Sequence, residues 1–323
     1  LRKATRLIHG GVCRTEVGET SEALFLTSGY VYDSAADAEA RFKGDIPGFI
    51  YSRFGNPTVS MFEKRLAILE GAEGCRATST GMAAVFSALM CQLRAGDHVI
   101  SSRALFGSCF YILSELLPRY GIEVSFVDDN NLDKWRSTFR ENTRCIFIET
   151  PSNPALQLLD LTKIAKLSRA FGVKLIVDNV FATPILQSPL EFGADIVVYS
   201  ATKHIDGQGR CLGGAILSSQ KFIDDVLQPY LRHTGPALSP FNAWILLKGL
   251  ETLQLRVDQM CKNALAVAKF LESHKQVNKV LYPGLKSHPQ YNLARKQMHS
   301  GGTIVSFYLN RRKKSVFDFL DRL

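Results

Sequence analysis

No stretch of this 323-residue chain is apolar for long enough to span a bilayer, so no membrane partner is expected. Its seven cysteines (Cys13, Cys75, Cys91, Cys109, Cys145, Cys211 and Cys261) are scattered, odd in number and without CxxC spacing. That argues against a structural zinc site and more strongly against a disulfide framework; no metal is expected, and a reduced, cytoplasmic setting fits. No GxGxxG fingerprint follows a first strand, which speaks against a nucleotide-dependent dehydrogenase. No secretory pattern follows Leu1, and neither internal repeats nor low-complexity tracts are visible.

Acidic residues are the scarcer charge, 30 against 39 basic ones, which leaves a formal net charge of +9. Basic residues are nevertheless dispersed, apart from Arg311-Arg312-Lys313-Lys314 after a predicted strand Thr303 to Leu309. That run reads as a solvated turn, no DNA- or RNA-binding motif accompanies it, and no nucleic-acid partner is expected. The positive field instead suits capture of an anionic ester.

What is present sits at strand ends. Val173 to Asp178 and Val197 to Ser200 are short, β-branched apolar runs that stop at polar residues, as strands buried on both faces do. Asp178 closes the first, and Lys203 follows the second by three residues. Open α/β sheets hold ligands at the carboxyl ends of strands. An amine there forms Schiff bases, and a carboxylate there holds a pyridinium nitrogen protonated. Alone, Lys203 reads equally as a substrate or phosphate contact, and Asp178 as a strand cap or metal ligand.

A third element is a phosphate cradle. Ser79-Thr80-Gly81-Met82 leads into the alanine-rich run from Ala83 to Cys91, which reads as a capped, buried helix. Free amides and the dipole at such a start favour a phosphate, and Gly81 lets backbone approach it. From this stretch alone, an ordinary capped helix is the plainer reading. Ser200 and Thr202 add hydroxyls on one side, away from Ala201.

Five ordered strings carry a resemblance: Tyr51-Ser52-Arg53-Phe54-Gly55-Asn56-Pro57-Thr58, Ser79-Thr80-Gly81-Met82, Glu149-Thr150-Pro151-Ser152-Asn153-Pro154, Asp178 to Pro184, and Ser200-Ala201-Thr202-Lys203. From about Arg6 onward the chain resembles the Cys/Met-metabolism family of pyridoxal phosphate enzymes. The resemblance implies that Lys203 bonds to pyridoxal 5'-phosphate and moves protons, and that Asp178 pairs with the pyridine nitrogen. It implies that Gly81, Met82, Ser200 and Thr202 hold the phosphate and that Asn153 bonds near the cofactor's O3′. Tyr51 and Arg53 would reach a neighbouring subunit's cofactor, Tyr51 with a catalytic part, in a homo-oligomer, a tetramer by resemblance. Asn153 would also lie near the substrate carboxylate, and the arginine that binds the α-carboxylate would lie beyond Leu323.

Departures from the family pattern narrow the chemistry. Phe106 stands where the lyases stack a tyrosine on the cofactor ring, which keeps a π-face but removes a proton-moving phenol. With the loop His204 to Gly214 and the string Arg232 to Trp244, this resembles the branch acting on O-succinylhomoserine with sulfide. The implied reaction is γ-replacement giving homocysteine and succinate; cysteine as donor, an O-acetyl ester or a γ-lyase are the alternatives. Val180 stands where many relatives carry threonine. Arg210 reads equally as a contact for the succinyl carboxylate or as a loop-anchoring ion pair, and Cys211 as a small packed residue.

Alternating helices and strands from about Asn56 imply an α/β fold with a mainly parallel sheet covered on both faces. The expected elements are helices from Met61 to Leu69 (amphipathic), to about Leu93, Phe110 to Tyr120 and Asp160 to Phe171, and strands His98 to Ser101, Glu123 to Val127, Arg144 to Glu149 and Gly213 to Leu217. By resemblance the sheet has seven strands in the fold type I, aminotransferase-like arrangement. Residues 1–55 are expected as an extended arm, 56–250 as the cofactor-binding domain and 251–323 as a smaller α+β C-terminal domain. A helix from Asn242 to about His274, a strand Asn278 to Leu281 and a helix Gln290 to Met298 are expected near the end.

Overall fold

A computed structural model describes residues 2–128, 131–310 and 312–323. Seven strands form one sheet: β1 (Gly74–Thr78), β2 (His98–Ser102), β3 (Glu123–Val127), β4 (Thr143–Glu149), β5 (Lys174–Asp178), β6 (Ile196–Ser200) and β7 (Gly214–Ser218). Their order is β1-β7-β6-β5-β4-β2-β3, and β7 alone runs against its neighbours. The parallel strands therefore deliver their carboxyl ends to one edge, and β4, β5 and β6 lie side by side there.

Alternation along the strands separates two apolar faces. On one, Ile176, Ile196 and Val198 pack against the helix Gly81–Met90 and residues 107–119 and 220–234. On the other, Ile146, Leu175 and Val177 meet the helix Leu161–Ala170. Val197, Tyr199 and Leu217 on that face meet Pro57–Glu70 and Pro240–Glu251. Period-two strands buried on both sides need apolar residues at every position, which is why β5 and β6 read so clearly.

Several expectations change. The helix expected as amphipathic over Met61 to Leu69 spans Pro57–Glu70, starts at the Asn56 cap and is buried on nearly every side. Its outer face is covered by the N-terminal segment: the helix Lys3–His9 places Leu7 in the core, and Thr58 Oγ1 bonds Ala23 and Phe25. Residues 2–55 are thus an arm with two helices, Lys3–His9 and Ala35–Lys43, rather than extended throughout. β1 was not foreseen, since Gly74 and Arg76 break its apolar character. The expected helix from Asn242 to His274 is two, Pro240–Glu251 and Leu253–Ser273, separated at Thr252.

The C-terminal portion pairs β8 (Val277–Leu281) antiparallel with β9 (Ser306–Leu309), beside Leu253–Ser273, and also contains the helix Tyr291–Gln297. In the basic run, Arg311 lies outside the described residues, and Lys313 and Lys314 open a helix, Lys313–Leu320, instead of a turn. Their side chains are exposed, as a solvated run requires.

Candidate active site

Eight of the ten expected site residues converge. Gly81, Met82, Phe106, Asn153, Asp178, Ser200, Thr202 and Lys203 line one cavity of about 450 Å³. β5 ends at Asp178, β6 ends at Ser200, and a turn carries the exposed Lys203 into the cavity while Ala201 points into the core.

The cradle is built from local rules. Thr80 caps Gly81–Met90 by accepting from the Ala83 amide at 3.0 Å, which leaves the first helical amides directed at the cavity. Gly81 permits this placement: a Cβ there would lie 2.5 Å from Ser200 Cβ. The helix start and the end of β6 therefore approach at a distance no side chain allows. Thr202 Oγ1 donates to the Gly213 carbonyl at 3.2 Å and accepts its amide at 3.1 Å, fixing the lysine turn to the start of β7.

The lysine turn is also held from below. Asp206, fully buried, accepts from the Arg210 amide at 2.7 Å and from Arg210 Nε at 2.9 Å. Arg210 is thus a loop anchor. Burial acts to raise the Asp206 carboxyl, and the Arg210 contacts outweigh it and hold it below the usual range. Cys211 is half-buried, with its thiol pushed up to about 11 by burial, which suits a packed residue. His204 Nε2 pairs with Thr303 Oγ1 at 2.7 Å, linking the turn to the C-terminal portion.

Two residues of this site escaped the sequence reading. Cys109 Sγ lies 3.9 Å from Asp178 Oδ2. Glu149 ends β4 in register with Asp178; its Oε2 accepts the Phe106 amide at 2.6 Å and its Oε1 the Asn153 amide at 2.8 Å. The signal existed, because β4 stops at an acid just as β5 does. Burial raises both carboxyls above the usual range, and for Glu149 the neighbouring Asp178 charge adds to it.

Tyr51 and Arg53 do not line this cavity. The Arg53 guanidinium lies 5.5 Å from the Tyr51 ring centroid and 4.7 Å from that of Phe54, and it donates to the Arg232 carbonyl. Arg53 instead borders a smaller hollow of about 210 Å³ with Arg76 and Gln228.

These residues fit pyridoxal phosphate. Asp178 Oδ1 accepts the Val180 amide at 3.0 Å, but among the described residues Oδ2 meets only a thiol and no ion pair reaches either buried acid. A protonated ring nitrogen is at once the donor and the cation this pair lacks. A helix start opened by Gly81 suits the phosphate, and the apolar walls from Val85, Phe106 and Val180 suit a planar ring.

The fold and site define an α/β enzyme dependent on pyridoxal phosphate. Comparison with known proteins agrees and goes further: residues 4–323 match the Cys/Met metabolism PLP-dependent enzymes, and the chain belongs to that family. It is 51% identical over 325 residues to an O-succinylhomoserine sulfhydrylase of Mycobacterium tuberculosis, covering 99% of this chain and 80% of that protein. An O-succinylhomoserine sulfhydrylase of Pseudomonas aeruginosa is 46% identical over 317 residues, with 98% and 78% covered. Among solved structures, a putative O-acetylhomoserine (thiol)-lyase of Campylobacter jejuni superposes with a TM-score of 0.92 at 32% identity, covering 96% of this chain and 85% of that one. That structure contains a pyridoxyl-lysine monophosphate. No helix among the described residues is long and apolar enough to cross a membrane.

Proposed function

We propose that this enzyme converts O-succinyl-L-homoserine and sulfide into L-homocysteine and succinate, a step of methionine biosynthesis in the cytoplasm. The observation that carries the chemistry is the convergence of Lys203, Asp178 and the Gly81 helix start on one cavity. The relatives from Mycobacterium tuberculosis and Pseudomonas aeruginosa support the choice of ester and donor.

In this reading Lys203 would hold the cofactor, Asp178 would keep its ring nitrogen protonated, and Gly81, Met82, Ser200 and Thr202 would hold its phosphate. Bound pyridoxal phosphate supplies an electron-withdrawing ring for carbanion chemistry. Once the substrate's amino group has taken the place of Lys203 on the cofactor, the freed Lys203 amine would remove the proton from Cα of the amino acid and, next, one from Cβ. The Cγ–O bond breaks with its electron pair leaving on succinate. Hydrosulfide adds at Cγ, and the two protons return to Cβ and Cα, so atoms and charge balance. Phe106 covers the ring face without a phenol to move protons, and Asn153 orients the O3′ and carboxylate side.

Tyr51 and Arg53 act from the neighbouring copy in a homotetramer built of dimers that share sites. Tyr51 assists proton transfer and Arg53 contacts phosphate. Tyr51 is 42% exposed and outside its own chain's cavity, which supports this assignment.

The test is product identity by mass spectrometry when the enzyme receives O-succinylhomoserine with sulfide and cysteine in competition. Homocysteine as the main product supports the proposal. Cystathionine as the main product makes the enzyme a cystathionine γ-synthase, and turnover of only the acetyl ester reassigns the acyl group.

A further inference from the structure

Glu149 has no part in the chemistry just described, yet it is the best-placed acid in the cavity after Asp178. It is buried, and β4 and β5 pair so that Glu149 and Asp178 stand in register on adjacent parallel strands, pointing to the same side of the sheet. Each of its oxygens accepts one backbone amide, from Phe106 on the loop after β2 and from Asn153 on the loop after β4. Phe106 and Asn153 both line the cavity. One side chain therefore ties together two loops of the site and places a second carboxyl beside that of Asp178.

We propose that Glu149 is a positioning residue for pyridoxal phosphate: its carboxylate fixes the Phe106 and Asn153 loops on the ring and completes a two-acid site for one cation. The proposal rests on the reading that the Lys203 cavity is the cofactor site. Burial and the neighbouring Asp178 charge push the Glu149 carboxyl up to about 8, so it is largely protonated in the cofactor-free protein, and a cation bound beside the pair favours its ionised form and is held by it in return. A merely structural acid has a different signature, because its loss lowers stability and cofactor affinity together.

Glutamine and aspartate separate the two roles. Glu149→Gln keeps the size and the one-donor, one-acceptor character of the protonated acid but cannot ionise when a cation binds. Glu149→Asp keeps the ionisable carboxyl but, one methylene shorter, reaches only one of the two amides.

The experiment measures the dissociation constant of pyridoxal phosphate and the thermal midpoint of the cofactor-stripped enzyme, for wild type and both variants. Glu149→Gln is expected to loosen the cofactor at least tenfold with a stripped-enzyme midpoint equal to or above wild type. Glu149→Asp is expected to fall between the two in affinity. Unchanged affinity in Glu149→Gln overturns the proposal. A midpoint that falls along with affinity, or failure of both variants to fold, also overturns it, because the carboxylate then serves the fold. Lys203→Ala is the separate control: covalently retained cofactor in that variant would show that the cavity assignment, rather than the role of Glu149, is wrong.

Discussion

Arg256 reaches from the helix Leu253–Ser273 to the residue after Lys203, with its Nη1 2.7 Å from the His204 carbonyl. Its Nη2 donates to Ile205 at 3.1 Å and to Gly249 at 2.7 Å. One guanidinium thus closes three carbonyls of the lysine turn and the preceding helix. The turn is shaped to receive it: Gly207 adopts φ +67°, and a Cβ there would meet Arg256 Nη1 at 1.8 Å. The C-terminal portion of the chain is therefore wired to the backbone that carries the amine.

Arg256→Met is expected to destabilise the fold by about 2–3 kcal/mol, since it strands partly buried carbonyls that a charged donor now satisfies. Arg256→Lys should recover only part of this, because an ammonium lacks the planar fork that spans three acceptors. Urea unfolding of the three proteins checks it. Equal stability of the lysine variant and wild type would show that charge alone matters here.

Glu22 is the second anchor, between the N-terminal arm and the body. Its carboxylate pairs with the fully buried Arg65 and with Lys248 Nζ at 2.5 Å. Burial pushes the Glu22 carboxyl up, but the Lys248 and Arg65 contacts outweigh it and hold it at about 2. A folded value below the unfolded one means that ionised Glu22 stabilises fully above about pH 4.5, and that this contribution is lost as pH falls toward 2. Glu22→Gln is expected to cost about 3 kcal/mol at pH 7 and progressively less below pH 4.5. Unfolding curves at pH 7 and pH 3 read the gap directly; a gap independent of pH would assign the anchor to packing instead of charge.

Which parts of this architecture were readable in advance follows from how local their causes are. β5 and β6 declared themselves because strands buried on both faces are apolar throughout, and their ends marked Asp178 and the Lys203 turn. The Thr80 and Asp160 caps work within three residues, so both helix starts were legible. β1 was not, because its pairing with β7 depends on residues about 140 positions away and tolerates Arg76, whose guanidinium is drawn off by Gln228 and Glu63. Full burial of Pro57–Glu70 depends on the arm folding over it, which periodicity within the helix does not reveal. Glu149 was visible as a strand end, but its role arises from two loops meeting in space.

Gly81 tests the cradle without touching charge. Gly81→Ala forces a Cβ to within 2.5 Å of Ser200 Cβ and 2.8 Å of Ser200 Cα, so the helix start and strand end must separate. Relief of such an overlap costs about 1–3 kcal/mol and moves the amides proposed to meet the phosphate. Cofactor affinity is expected to fall at least tenfold, while the paired control Gly107→Ala, where a Cβ meets nothing within 4 Å, should leave folding stability unaffected. Fluorescence titration with pyridoxal phosphate measures the first effect and thermal unfolding the second. Normal affinity in Gly81→Ala would place the phosphate elsewhere.

In the proposed function, Phe106 bears on which reactions the site completes. Its amide is fixed by Glu149, while its side chain lines the cavity and the residue is 44% exposed, so a para-hydroxyl fits without repacking the core. In the proposed site phenylalanine would offer the ring only an apolar face, whereas tyrosine would add a titratable group beside the carbons that exchange protons. Without sulfide, O-succinylhomoserine can still be consumed by elimination to succinate, ammonia and 2-oxobutyrate with uptake of water. That exit needs additional proton transfers, which a phenol at the ring face can serve. Phe106→Tyr is therefore expected to raise 2-oxobutyrate formation in the absence of sulfide by about tenfold, within the usual worth of one positioned acid–base group. Homocysteine formation at saturating sulfide should change less. The two products are quantified in parallel, and the informative number is their ratio. A ratio unchanged by the hydroxyl would mean that proton delivery comes from Lys203 alone, and that Phe106 serves as a packing surface with no influence on the partition.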